Sequence, residues 1–208
     1  MPPVNLSLDF SQPGGLARPM SAAISSGYPA LDVMLPQGGW PVGGITEIFC
    51  SHDSRPALAL VWPALARLSQ AKRWLAMIAP PNAPTRTELQ TEGIDLGQVL
   101  MIHPHATSNG LWAVEHALRA GTCATVLSWV NHADRHAMQD LRGAALAGNS
   151  CGLLFRPERA VEQPGIDSLR LRVTPTERQG LYVELLEQRR NRVASGIFIE
   201  PARLFQTG

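Results

Sequence analysis

The residues Cys50-Ser51-His52-Asp53-Ser54-Arg55-Pro56 lie between the apolar run ITEIFC (45–50) and the helix-patterned run PALALVWPALARLSQ (56–70). A strand, a turn and a helix in that order form the place where a phosphate-binding loop sits. Its glycines permit the turn, its backbone N–H groups surround the phosphates, and a lysine and a Ser or Thr reach the terminal phosphates and magnesium. These residues oppose that chemistry. No glycine falls between Gly44 and Gly93, Pro56 lacks an N–H, and Asp53 repels phosphate. The single lysine, Lys72, comes after the helical run, which leaves Arg55 as the loop's only permanent cation. The strand expected to present a metal-orienting acid, ATVLSW (124–129), ends in Ser128-Trp129, with no Asp or Glu before Asp134. The turn after the second strand reads APPNAP, where a water-activating carboxylate would stand. The expectation is a degenerate phosphate loop, no nucleotide cofactor and no catalysis.

Other groupings carry less. His103 and His105, with His132 and His136 at i,i+4 spacing, lack the acid or cysteine partners that complete a metal site, so no metal is expected. Arg189, Arg190 and Arg192, with Arg203, form the strongest basic cluster. A few arginines without interleaved aromatics give only weak, salt-sensitive affinity for a nucleic-acid backbone. An acidic partner or ordinary surface fits them better. Among the five tryptophans, Trp129 closes an apolar strand and reads as core, while Trp62 and Trp112 fall on helices and suit either core or a partner surface.

The elements that must position these residues are legible as alternating periods. Strands are expected at 45–50, 73–79, 99–104, 122–130 and 151–156, separated by helices over 56–70, about 84–92, 108–121 and 134–147. Short continuous apolar strands between helices predict a parallel sheet with both faces covered. Pro63 should kink the first long helix. The pattern then changes: LRLRV (169–173) and LYVELLEQ (181–188) read as an antiparallel hairpin, within a C-terminal segment 167–190 that leads into a basic tail. Residues 1–26 carry four prolines and no sustained period, which reads as a flexible arm ahead of one domain over 27–208.

Composition sets the outer limits. The 208 residues are 45% hydrophobic, enough for one substantial core, and the net charge of +1 gives no strong field toward nucleic acid or membrane. No stretch reaches the roughly 18 apolar residues of a membrane span. Three dispersed cysteines, Cys50, Cys123 and Cys151, suit reduced core thiols in a cytoplasmic protein.

LDVMLPQGGWPVGGITEIF (31–49) resembles the opening of the RecA core, and WAVEHALRAGTCATVLSWV with LRGAALAGNSCGLLFRP (within 112–157) is similar to a segment shared by SulA-like and ImuA-like proteins, RecA-fold relatives of the bacterial SOS response. The lead-in at 27–48 and the continuation SLRLRVTP…GLYVELLEQRRNR resemble ImuA-type chains in particular, over about residues 27–200. That resemblance implies a RecA-like core and a non-catalytic adaptor of translesion DNA synthesis. Its partners would be an ImuB-like inactive Y-family polymerase relative, with RecA and an error-prone DnaE-type polymerase beyond it. The SulA alternative implies a division inhibitor that binds FtsZ, and a third reading, ranked behind both, is an unconventional ATPase using Arg55. Arg73-Trp74 matches a SulA feature, whereas Glu88-Leu89 and Gln98 depart from it. Partner contacts are expected at Trp62, Arg73, Trp74, Trp112, Glu187, Arg189, Arg190 and Arg192.

Overall fold

The computed structural model describes residues 23–51, 53–104, 108–163, 166–177, 180–187 and 193–201. His52, His105, Arg189, Arg190, Arg192 and Arg203 therefore lie outside the described residues. Strand β1 (Ala23–Ile24) pairs antiparallel with β2 (Trp40–Pro41), and helix α1 (Pro29–Met34) fills the interval. Of the segment expected as an arm, residues 23–26 are tied down. Asp32 of α1 accepts hydrogen bonds from the Ser25 hydroxyl (2.6 Å) and the Ser26 N–H (2.7 Å).

Strand β3 (Gly44–Cys50) leads to α2 (Arg55–Leu58) and α3 (Trp62–Gln70). The long helix expected over 56–70 is thus two helices. Pro63 sits in the first turn of α3, where a missing N–H costs nothing, and the chain breaks ahead of it rather than bending through it. Then follow β4 (Trp74–Ile78), α4 (Arg86–Thr91), β5 (Val99–Ile102), α5 (Ser108–Ala120), β6 (Cys123–Trp129), α6 (Arg135–Gly148) and β7 (Cys151–Pro157). Thr85 and Glu88 close a reciprocal capping box on α4, and Asp134 caps α6 through the Ala137 N–H at 2.8 Å. The final strands are β8 (Leu169–Pro175), β9 (Leu181–Leu186) and β10 (Val193–Ile199). The tail expected after 190 therefore contains a strand, β10, that the arginine-rich run before it concealed.

Among the described residues eight strands form one sheet in the order β10-β9-β8-β3-β7-β6-β4-β5. The six from β8 to β5 are mutually parallel, and β9 and β10 continue antiparallel from β8. The α/β class, the mostly parallel sheet and the terminal antiparallel pair all follow the sequence reading. Alternation divides each inner strand between two apolar layers. Leu75, Met77, Leu127 and Leu153 join Trp62 and Leu65 in one layer, and Ala76, Ile78, Val126 and Leu154 join Val114, Leu118 and Leu141 in the other. Among the described residues no helix is long and apolar enough to cross a membrane.

Candidate functional site

In an open parallel sheet, ligands collect in the crevice beyond the carboxyl ends of the strands. In this protein that crevice is a cavity of about 400 Å³ between the ends of β3, β6 and β7, walled by Cys50, Ser54, Trp129, Phe155 and Arg156. The loop after β3 forms one side of it. There the Ser51 hydroxyl donates to the Asp53 carbonyl (2.9 Å), and the Arg55 N–H donates to the Asp53 carboxylate (3.1 Å). A backbone donor at the head of a helix would face an anion, and the loop's own acid holds this one. Arg55 is partly exposed and stands 3.9 Å from Glu88, a distance at which an exposed pair contributes little. Pro56 sits in the first turn of α2.

Trp129 closes the other side. Its ring stacks on Phe155 (centroids 5.0 Å apart, planes 13° apart) and its Nε1–H donates to the Ser54 hydroxyl at 2.7 Å. An aromatic pair and its tether therefore occupy the strand end where an acid would orient a metal. Cys50 offers no nucleophile: burial first, then the charges of Asp53 and Glu158, push its thiol up to about 12. Burial also raises Cys123, and Cys151 to about 12. Among the described residues no three His, Cys, Asp or Glu side chains are grouped to hold a metal.

Beneath the cavity lies a feature the sequence reading missed. Glu47, on β3, is fully buried against two buried guanidinium groups. Arg156 of β7 bonds its Oε2, Arg170 of β8 stands 3.4 Å from Oε1, and the Ser168 hydroxyl donates to Oε1 at 2.6 Å. Arg156 also donates to the Gln163 side chain, and Arg170 to the Val161 and Gln163 carbonyls at 2.8 and 3.0 Å. Phe49 carries the Arg170 guanidinium over its ring at 4.8 Å. Burial lowers the Arg170 pKa against the opposing pull of Glu47. A lone acid inside the apolar run ITEIFC was the available signal, because a buried carboxylate needs a cationic partner.

The expected partner residues do not form one patch. Trp62 is a correction: it is 2% exposed and packed inside the core, so its burial removes it as a contact. Arg73 and Trp74 are exposed where β4 begins, beside Lys72, whose ammonium pairs with Asp95 at 2.7 Å. Trp112 is 61% exposed near the start of α5, its ring tilted by 35° against that of His116 with centroids 3.9 Å apart. Because α5 follows the carboxyl end of β5, parallel to β4, Trp112 and Trp74 occupy opposite ends of the sheet. Glu187 is exposed just past β9, with β8, β3, β7 and β6 between it and β4. It borders a second cavity of about 380 Å³, with Gly43, Arg142, Asp167 and Arg170.

Residues 43–152, which span β3 through the first residues of β7, match the family model described as "Cell division inhibitor SulA". A relative of that name from Pectobacterium atrosepticum is 33% identical over 130 residues, covering 62% of this chain and 75% of its own. One from Serratia marcescens is 29% identical over 119 residues, covering 57% and 71%. The crystal structure of SulA from Pseudomonas aeruginosa is 32% identical, with a TM-score of 0.47, covering 54% of this chain and 97% of that one. With the match running through more than half of its length, the chain belongs to the SulA family.

Proposed function

We propose that this protein acts without catalysis, by stoichiometric capture of another protein during the SOS response, and that the captured protein is FtsZ, whose assembly it blocks. The observation that carries this reading is the family match over 43–152, which takes in β3 to β6 and the helices between them. Relatives over this region are named cell division inhibitors. The crevice chemistry agrees. We read the loop at 50–56 as a degenerate phosphate loop on a RecA-like core, with Asp53 holding the Arg55 N–H and Trp129 closing the strand end. Arg73 and Trp74 supply an exposed cation and aromatic at the amino end of β4, a combination favoured in contact hot spots.

The test adds purified protein to polymerising FtsZ at increasing molar ratios. Assembly and GTPase activity should fall to a floor near equimolar protein, and Trp74→Ala should shift that titration to higher ratios. Unchanged FtsZ turnover at molar excess would end the reading. A calorimetric titration with millimolar ATP should be flat.

A second reading rests on a separate observation: the matched span stops at 152, leaving β8, β9 and β10 outside it. On that reading the protein is an ImuA-type adaptor of translesion synthesis, and this added sheet edge carries an ImuB-like partner, with RecA and a DnaE-type polymerase further along the assembly. Co-purification with an ImuB-like protein, lost on deletion of 167–208 and kept by Trp74→Ala, would select it over FtsZ binding.

A further inference from the structure

The described chain exposes eight large hydrophobic side chains, and half of them gather at one border of the sheet: Val33, Tyr182, Val193 and Phe198. Val33 lies on α1, which packs beside β10, and the other three belong to β9 and β10. Tyr182 and Phe198 are directly opposed across the hairpin, 42% and 45% exposed. Each ring lies over a glycine. A Cβ on Gly196 would fall 2.4 Å from the Tyr182 hydroxyl oxygen, and one on Gly180 would fall 2.1 Å from Phe198 Cζ. The rings are laid flat along the sheet, which keeps its border thin and open.

The strand that ends the sheet is Val193-Ala194-Ser195-Gly196-Ile197-Phe198-Ile199. Among the described residues nothing pairs with its outer side. Edge strands that stay single are blunted by charge, proline or bulges, because their free N–H and C=O groups template another strand. This one carries no charge and no proline, and its one irregularity, between Val193 and Ser195, leaves Ser195 to Ile199 in regular register. We propose that β10 pairs antiparallel with β10 of a second copy of this chain, about a two-fold axis near Gly196, joining two eight-stranded sheets into one.

A second copy fits better than a foreign strand for a reason of charge and symmetry. An uncharged edge offers a foreign acidic or basic segment no counter-charge, and a two-fold axis sets apolar residues against apolar residues without opposing like charges. The same axis places Phe198 and Tyr182 of each copy on one face of the joined sheet, and it brings the two α1 helices to the other. The dimer is compatible with capture through Trp74, because it leaves Trp74 and β5 at the two far ends, and it competes with a partner seated on the β10 border.

The full-length protein should sediment as a dimer in the micromolar range. Ser195→Lys sets two like charges close to the axis and should weaken the dimer about tenfold or more, while the far-UV circular dichroism of the folded chain stays unchanged. Ser195→Cys should cross-link copies under mild oxidation, since the three native thiols are buried. Leu100→Cys, on the opposite border of the sheet, should not. A monomeric wild-type protein throughout that range, a dimer indifferent to Ser195→Lys, or faster cross-linking through Leu100→Cys would each overturn the proposal.

Discussion

The two ends of the sheet are built on different rules. From β3 to β7 the strands are parallel and apolar on both faces, with α2, α3 and α4 on one side and α5 and α6 on the other. From β8 to β10 the strands alternate. Leu171, Val173, Leu181 and Val183 face the core, and Arg172, Glu184, Tyr182 and Phe198 face outward. Among the described residues the 158–162 segment, through Ala160 and Val161 against Phe49 and Leu186, covers part of that outward face. The family match falls on the first region. The comparison teaches that the parallel region is sealed by apolar layers on both faces, whereas the added strands share only one of those layers and on the other face meet it through a polar seam, Glu47 with Arg156 and Arg170.

Breaking that seam should have the largest effect. Glu47→Ala leaves two guanidinium groups buried with no carboxylate and should cost about 3–5 kcal/mol in urea unfolding. Hydrogen exchange should accelerate first in β8 to β10; uniform acceleration across the sheet would mean that the seam joins nothing in particular.

A change inside the parallel region comes next. Where α6 ends, a Cβ on Gly148 would lie 1.9 Å from the Leu118 carbonyl of α5, a backbone atom that cannot swing away. Gly148→Ala should therefore cost about 1–3 kcal/mol by overpacking. In the added strands, Gly196→Ala meets only the far end of the Tyr182 side chain and should cost less than Gly148→Ala by the same measurement.

Trp129→Phe tests the crevice. It keeps the ring on Phe155 but removes the bond to Ser54, for a loss of about 0.5–1.5 kcal/mol and faster proteolysis at 51–55. Unchanged cleavage would show that the loop is held elsewhere.

The smallest effect concerns acid. Burial works against the Asp32 charge, but the Ser25 and Ser26 hydrogen bonds outweigh it and hold the carboxyl below its usual range. A depressed native pKa means stability that is present above the unfolded value of about 3.9 and lost as pH falls through the native one. Asp32→Asn should flatten that acid limb of the stability curve, and an unaltered limb would place the proton uptake at other carboxylates.

Much of this was legible in the residues. The strand positions and the change of period after 157 are local patterns, and local patterns survive folding. Three things were not legible. Arg170 sits in LRLRV, where alternation suggests an outward cation, and only the neighbouring strands reveal that its face is roofed by 158–163. Trp62 shows the same helical spacing whether buried or exposed. The strand β10 follows an arginine-rich run that breaks every apolar window laid across it.

The sequence by itself determined the class of fold and the order of most elements from β3 to β9, because propensity and side-chain type act over a few residues. Tertiary structure alone decided that Glu47 would meet two arginines more than a hundred residues away, that the expected contact residues would part to opposite ends of the sheet, and that β10 would be its open border. Those facts depend on which strands become neighbours, and strand order is settled by the burial of whole faces.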